Sequence, residues 1–168
     1  AIQLTRKWLH EGKIIAIKGI GGFHLACDAC NSAAVEQLRL RKKRSDKPFA
    51  LMAFSLAEIE NYCDVSSSEA DLLTSPQHPI VLLRWKENCA IAPSVAPGQK
   101  TLGFMLPYTP LQLLLLEPEQ GYPTAFVMTS GNLSEEPVAY EDGDALGRLS
   151  GIADGFLLND RPIHMRVD

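Results

Sequence analysis

The nine residues from Arg39 to Lys47, RLRKKRSDK, hold six of the chain's sixteen Lys and Arg side chains against one acid, Asp46. The formal net charge is −4, so this local +5 leaves −9 on the remainder. Concentrated positive charge on an otherwise acidic molecule is a local anion trap, better suited to a polyphosphate than to long nucleic acid. The competing reading is a solvated helix end whose cations complement the helix dipole. A second polar cluster, TSGNLS at 129–134, ends an apolar run. Its three hydroxyls and one amide surround a glycine, offering donors where open α/β sheets bind ligands, beyond the carboxyl end of a strand. On its own it also reads as a polar turn. Donors from this loop and charge from the basic run would together suit phosphate. His24 follows glycines at 19, 21 and 22; such flanks let backbone and ligand approach closely. No second base sits beside it in sequence, so a catalytic triad is not supported.

Three other motifs are weaker. GIGGFHL lacks the third glycine of GxGxxG and leads into a strand, where a dinucleotide site needs a helix N-terminus. GQKT at 98–101 has no glycine five positions before Gly98, which excludes a Walker A loop. Cys27-Asp28-Ala29-Cys30 is a lone CxxC without the two further ligands that structural zinc requires. In a strand His24 points to the opposite face from Cys27, and buried cysteine as a small hydrophobe is the simpler reading. No metal site is expected from the protein's own side chains.

The elements that must position these residues alternate. A helix over 2–10 precedes strands at 13–18 and around 24–29. Asn31 caps a helix running to about Arg41, ended by Lys47-Pro48. Residues 49–54 read as a strand, and Ser55/Glu58 and Ser66/Glu69 each form a capping box. Strands follow at 80–85 and 102–106, separated by a long, functional or mobile loop at 88–100. Thr109-Pro110 opens a helix through Leu116. A strand at 125–129, a helix near 143–149, a strand at 155–158 and a segment at 163–167 complete the chain. Several connections are too short for helical crossovers, so a mixed, open, twisted α/β sheet flanked by helices is expected, as one domain over 1–168. With 46% hydrophobic and 21% charged residues the chain reads as an ordinary globule. Four scattered cysteines suit a reducing compartment, and no stretch has the length of a membrane span. A soluble, cytoplasmic location without a membrane partner is the expectation.

Six ordered stretches carry a resemblance: KGIGGFHLACDA (18–29), RKKRSDKPFALM (41–52), SPQHPIVLL (75–83), LGFMLPYTPLQLLLL (102–116), VMTSGNLSEEP (127–137) and ADGFLLNDRPI (153–163). Together they resemble the YrdC-like domain of HypF, the carbamoyltransferase of nickel–iron hydrogenase maturation. The resemblance implies a YrdC-like fold with a concave, positively charged cleft that binds ATP, and a domain excised from a larger multidomain protein. It implies phosphate contacts from a KxR pair, here Lys42 and Arg44, and an SxN pair, here Ser130 and Asn132, accompanied by Lys47 and Ser134. It implies adenylation of carbamate derived from carbamoyl phosphate, giving carbamoyl-adenylate and pyrophosphate with magnesium assisting. Positioning and charge neutralisation dominate such a step. His24 and Arg166 are the candidate catalytic side chains. The implied partners are the neighbouring domains and a carbamoyl-accepting hydrogenase maturation protein.

Two rivals remain. Threonylcarbamoyl-adenylate synthases of tRNA modification carry a first motif like PTxTVYGLGCDA. Here Lys18, Gly19, Gly21, Phe23 and His24 replace its hydroxyl-bearing positions, so a pocket for threonine would discriminate poorly. An RNA-binding module without catalysis would use the basic run, but only 7% of residues are aromatic and no stacking platform is evident. Glu135 stands where the family usually has glycine, placing an acid near the proposed phosphate loop.

Overall fold

The computed structural model describes residues 1–134 and 136–166. Six helices, α1 (Ile2–His10), α2 (Ser32–Lys42), α3 (Leu56–Ile59), α4 (Ser67–Leu73), α5 (Pro110–Leu116) and α6 (Asp142–Leu149), flank one sheet. Its strands are β1 (Ile15–Lys18), β2 (Phe23–Asp28), β3 (Ala50–Met52), β4 (Cys63–Asp64), β5 (Val81–Trp85), β6 (Thr101–Met105), β7 (Phe126–Ser130) and β8 (Gly155–Leu157). They lie in the order β4-β5-β6-β3-β7-β2-β1-β8. The β1–β8 and β3–β6 pairs are parallel and the other five antiparallel. The expected mixed, open α/β sheet is the one found.

Strand alternation divides the core into two layers. On one face Phe23, Leu25 and Cys27 of β2 pack with Val35 and Leu38 of α2, Ile59 of α3 and Leu149 of α6. On the other, Ile15, Ile17, Ala26, Phe126 and Met128 pack with Leu9 of α1 and Leu115 and Leu116 of α5. That second face is only partly covered. Beyond α1 and α5, toward β5, it lies open, and Leu82 there remains 68% exposed.

Sequence reading placed most elements, with five departures. Helix α2 runs one residue further, to Lys42, and ends because Lys43 takes the left-handed conformation at φ 53°. The 49–54 run yields a three-residue strand, since the Phe49 N–H turns to the Val95 carbonyl. Strand β4 is only two residues, too short to carry a pattern. The 88–100 loop is a packed wall: Ile91, Ala92, Val95 and Ala96 are all buried around a short turn at Pro93–Val95. Residues 163–166 form no regular element, and Val167 of that expected segment lies outside the described residues.

The end of β1 is tied down by Lys18. Its buried ammonium lies 2.8 Å from Asp142 Oδ1 in the first turn of α6 and donates to the Asn159 carbonyl at 3.1 Å. Asn159 Nδ2 returns a bond to the Lys18 carbonyl. Replacing Lys18 by Met removes the charge and leaves both partners without a donor. The expected cost is about 1–3 kcal/mol, read as a lower urea midpoint with unchanged slope.

Candidate functional site

The uncovered half of the sheet is the floor of a cleft of about 880 Å³. It crosses the strands. Ile80 and Leu82 line one side; Gly103 and Met105 of β6, Ala50 of β3 and Met128 of β7 form the floor; Ser130 and His24 close the other side. Leu82 faces Gly103, and Gly103 faces Ala50, in adjacent register. A side chain at Gly103 would press its Cβ to 3.0 Å from Ile80 Cγ2, so the glycine is what lets Ile80 and Leu82 lie across β6.

The polar side of the cleft is built on a β2–β7 pairing that sets His24 opposite Ser130. Past Ser130 the chain is pulled against β2. The Gly131 N–H donates to the Phe23 carbonyl at 2.7 Å, and the Ala139 N–H donates back to the Gly131 carbonyl at 2.9 Å. A Cβ on Gly131 would sit 2.7 Å from that same carbonyl oxygen, which excludes any other residue without movement of backbone. Burial holds the His24 imidazole below its ordinary pKa, so it is neutral near pH 7.

Lys42 lies behind this loop, fully buried. Its Nζ donates to the Ser130 carbonyl at 2.7 Å, the Asn132 carbonyl at 2.6 Å and Asn132 Oδ1 at 2.6 Å. Those are the three donors an ammonium possesses. Ser130 Oγ also donates to Asn132 Oδ1, at 2.7 Å, and Asn132 Nδ2 donates to the Glu136 carbonyl. Ser134 donates through both its N–H and its Oγ to the Lys42 carbonyl. The KxR lysine and the SxN pair therefore meet, but as one internal network that shapes the loop.

The basic run divides differently from expectation. The solvated helix end does not describe Arg39, which donates to five backbone carbonyls, those of Arg44, Ser45, Lys47, Ser94 and Val95. The 44–48 loop is wound around its guanidinium. Arg41 reaches Asp154 Oδ1 at 2.7 Å and the Ile152 carbonyl at 2.8 Å. Left-handed Lys43 turns the chain, so Arg44 enters the cleft lining while Lys42 points inward. Arg44 Nε and Nη2 donate to the Lys47 and Pro48 carbonyls, and its guanidinium lies 5.2 Å from the Phe49 ring centroid. Lys47 is exposed beside it.

Of the eight residues singled out from sequence, His24, Arg44 and Ser130 line the cleft directly. Lys42, Asn132 and Ser134 stand behind it. Arg166 is exposed and is not among the lining residues, so the structure does not bring it to the site. Glu135 lies outside the described residues. The expected positive cleft is mostly apolar, with Arg44 its one guanidinium among the lining residues. Sequence reading missed Ile80, Leu82, Gly103, His78 and Tyr108. Their one signal is apolar Ile80 and Leu82 alternating with equally apolar Val81 and Leu83 in a strand whose outer face has no helix to cover it.

The CxxC does not form a site. Cys27 is buried in the core, and burial pushes the Cys30 thiol up to about 11. Among the described residues no group of three or more His, Cys, Asp or Glu side chains could hold a metal ion. Among the same residues no helix is long and apolar enough to cross a membrane.

A family model covering Sua5, YciO and YrdC, described as "Telomere recombination", matches residues 7–168. The chain belongs to the Sua5/YciO/YrdC family. Within it, the chain is similar to HypF carbamoyltransferases over nearly its whole length. Carbamoyltransferase HypF2 of Cupriavidus necator is 49% identical over 172 residues, covering 95% of this chain and 21% of that protein. A full-length HypF solved in a phosphate- and nucleotide-bound form is 50% identical, with TM-score 0.93 over 99% of this chain and 26% of that one. The HypF of T. kodakarensis superimposes with TM-score 0.95 at 39% identity, over 100% of this chain and 22% of that one. The chain thus corresponds to the YrdC-like domain of HypF and spans about a fifth of the length of that curated relative.

Burial lowers the Lys42 pKa to about 8, with the Arg44 charge adding to the effect. The folded state then binds fewer protons than the unfolded chain between about pH 8 and the ordinary lysine value of ~10.4. Stability contributed by this group therefore rises with pH across that window. Urea midpoints at ~pH 7 and ~pH 9.5 should show the increment in the wild type and its loss in Lys42→Met.

Proposed function

We propose that this domain binds ATP in the cleft across β5, β6, β3, β7 and β2 and forms carbamoyl-adenylate from carbamate, releasing pyrophosphate. The observation that carries the reading is the joint between the 42–44 and 130–134 segments, with Arg44 and Ser130 on one side of an apolar cleft. Support comes from the similarity to HypF carbamoyltransferases and to a nucleotide-bound HypF. The carbamate, released from carbamoyl phosphate, attacks the α-phosphorus through oxygen. The bond to the α,β-bridging oxygen breaks, and pyrophosphate leaves with its charge.

The chain's own contribution is to hold and neutralise. Arg44 faces the phosphates from the lining, and Lys42 adds positive charge from behind the loop without direct contact. Neutral His24, opposite Ser130, is placed to hydrogen-bond the reacting oxygens. Among the described residues no carboxylate lines the cleft; magnesium would be carried by the phosphate oxygens and would supply charge neutralisation there. Carbamoyl-adenylate would then serve the carbamoyl transfer of a larger protein and its hydrogenase maturation partner.

Threonine as co-substrate is disfavoured by the lining near His24, where Ile20, Gly21, Gly22 and Phe23 carry no side-chain hydroxyl. The RNA reading loses Arg39 and Arg41, whose guanidiniums are engaged internally. Isotope exchange between pyrophosphate and ATP should require carbamoyl phosphate or carbamate and fall by roughly tenfold to a hundredfold in Arg44→Ala. Pyrophosphate release that depends on threonine would overturn the reading.

A further inference from the structure

Three of the four free thiols, those of Cys30, Cys63 and Cys89, meet on the face of the sheet away from the cleft. Backbone bonds bring their segments together. The Ala92 N–H donates to the Ala29 carbonyl and the Lys86 N–H to the Tyr62 carbonyl, both at 2.9 Å, while Cys63 pairs with Trp85 across β4 and β5. Side chains complete the joint. Cys30 Sγ lies 3.8 Å from the Tyr62 hydroxyl, and Trp85 Nε1 donates to Cys89 Sγ at 2.7 Å. Cys30, Trp85 and Cys89 all pack against the core layer that holds Cys63. None of these residues lines the cleft, so the cluster stands apart from the nucleotide reading.

The three thiols are not equivalent. Cys63 is buried, whereas Cys30 and Cys89 are half-buried. Burial raises the Cys30 thiol to about 11 and the Cys63 thiol to about 12, and charge on Cys89 adds to both shifts. Cys89 follows β5, with the Trp85 indole N–H aimed at its sulfur. Such a donor favours the thiolate, the form that reacts with oxidants. Cys30 ends the turn between β2 and α2, where a sulfur can rotate without disturbing a strand, while Cys63 lies within β4. We propose that Cys89 and Cys30 are a redox-active pair that closes to a disulfide when hydrogen peroxide oxidises Cys89. The Cys89 sulfur attacks one peroxide oxygen. An S–O bond forms, the O–O bond breaks, and the other oxygen leaves as water with the thiol proton. The Cys30 sulfur then attacks Cys89. The S–S bond forms, the S–O bond breaks, and the Cys30 proton leaves with that oxygen as a second water. The sulfurs lose two electrons in all, and the peroxide takes them.

The test treats the folded chain with hydrogen peroxide, alkylates what remains reduced and maps the cysteines by mass spectrometry without reduction. Wild type should lose two of its four thiols and yield a peptide joining Cys30 to Cys89, which dithiothreitol returns to thiols. Cys30→Ser should instead accumulate a dimedone adduct at Cys89, and Cys89→Ser should keep Cys30 reduced at the same dose. In urea the preference for that pair should vanish, because it is the fold that brings the two sulfurs together. Retention of all four thiols in wild type would overturn the proposal, as would equal loss of the Cys30 thiol in Cys89→Ser. A peptide joining Cys89 to Cys63 would overturn the choice of partner. A link found only between two copies of the chain would overturn the pairing within one fold.

Discussion

The buried ammonium of Lys42 is the constraint on which the site depends. Removing a charge from water costs several kcal/mol unless its hydrogen-bonding capacity is met. Among the described residues it is met by two carbonyls and one amide oxygen, and by no carboxylate. The geometry of the 130–132 loop follows, because three oxygens must converge on one nitrogen. Among the described residues no acid is bonded to it to cancel the charge. Neutral dipoles hold the ammonium but leave its field intact, and low-dielectric surroundings screen that field less than water would. An anion in the cleft would complete the balance from the open side.

The same economy of placement explains the rest of the basic run. Nine consecutive residues could not all reach one ligand, since α2 ends at Lys42 and Lys43 reverses the chain. Arg39 instead donates to carbonyls from two segments, 44–47 and 94–95, and ties them together. A planar fork with five donors is suited to that and an ammonium is not. Arg41 anchors the helix to Asp154, whose carboxyl also accepts the Ile14 N–H at 2.8 Å and is held below its usual pKa. Three cations thus build the frame that leaves Arg44 facing the cleft.

What was legible in the sequence was local. The Asn31, Ser66 and Thr109 caps, the strand runs and the opposition of His24 to Cys27 all follow from short-range periodicity and turn chemistry, and each is found. The partners of charged side chains were not legible. Whether Arg39 is solvated or wound into a loop depends on residues 94 and 95, more than fifty positions away. The apolar side of the cleft was hidden for a different reason. Ile80 and Leu82 carry the same pattern as core strand residues, and only the lack of a helix over them among the described residues leaves that pattern exposed in the cleft.

That apolar surface changes what a single guanidinium can do. In a broad basic groove each phosphate contact would be hydrated, screened by salt and weak. In this cleft Arg44 lies against Phe49, with Lys42 buried behind the adjoining loop. Bound anionic oxygens would exchange water for a few fixed donors in a poorly polarisable setting, where each is worth more. Selectivity then comes from where the donors stand. The mostly apolar lining is therefore consistent with a phosphate site, provided its few polar groups are held rigidly. The Lys42, Asn132 and Arg39 networks are what hold them.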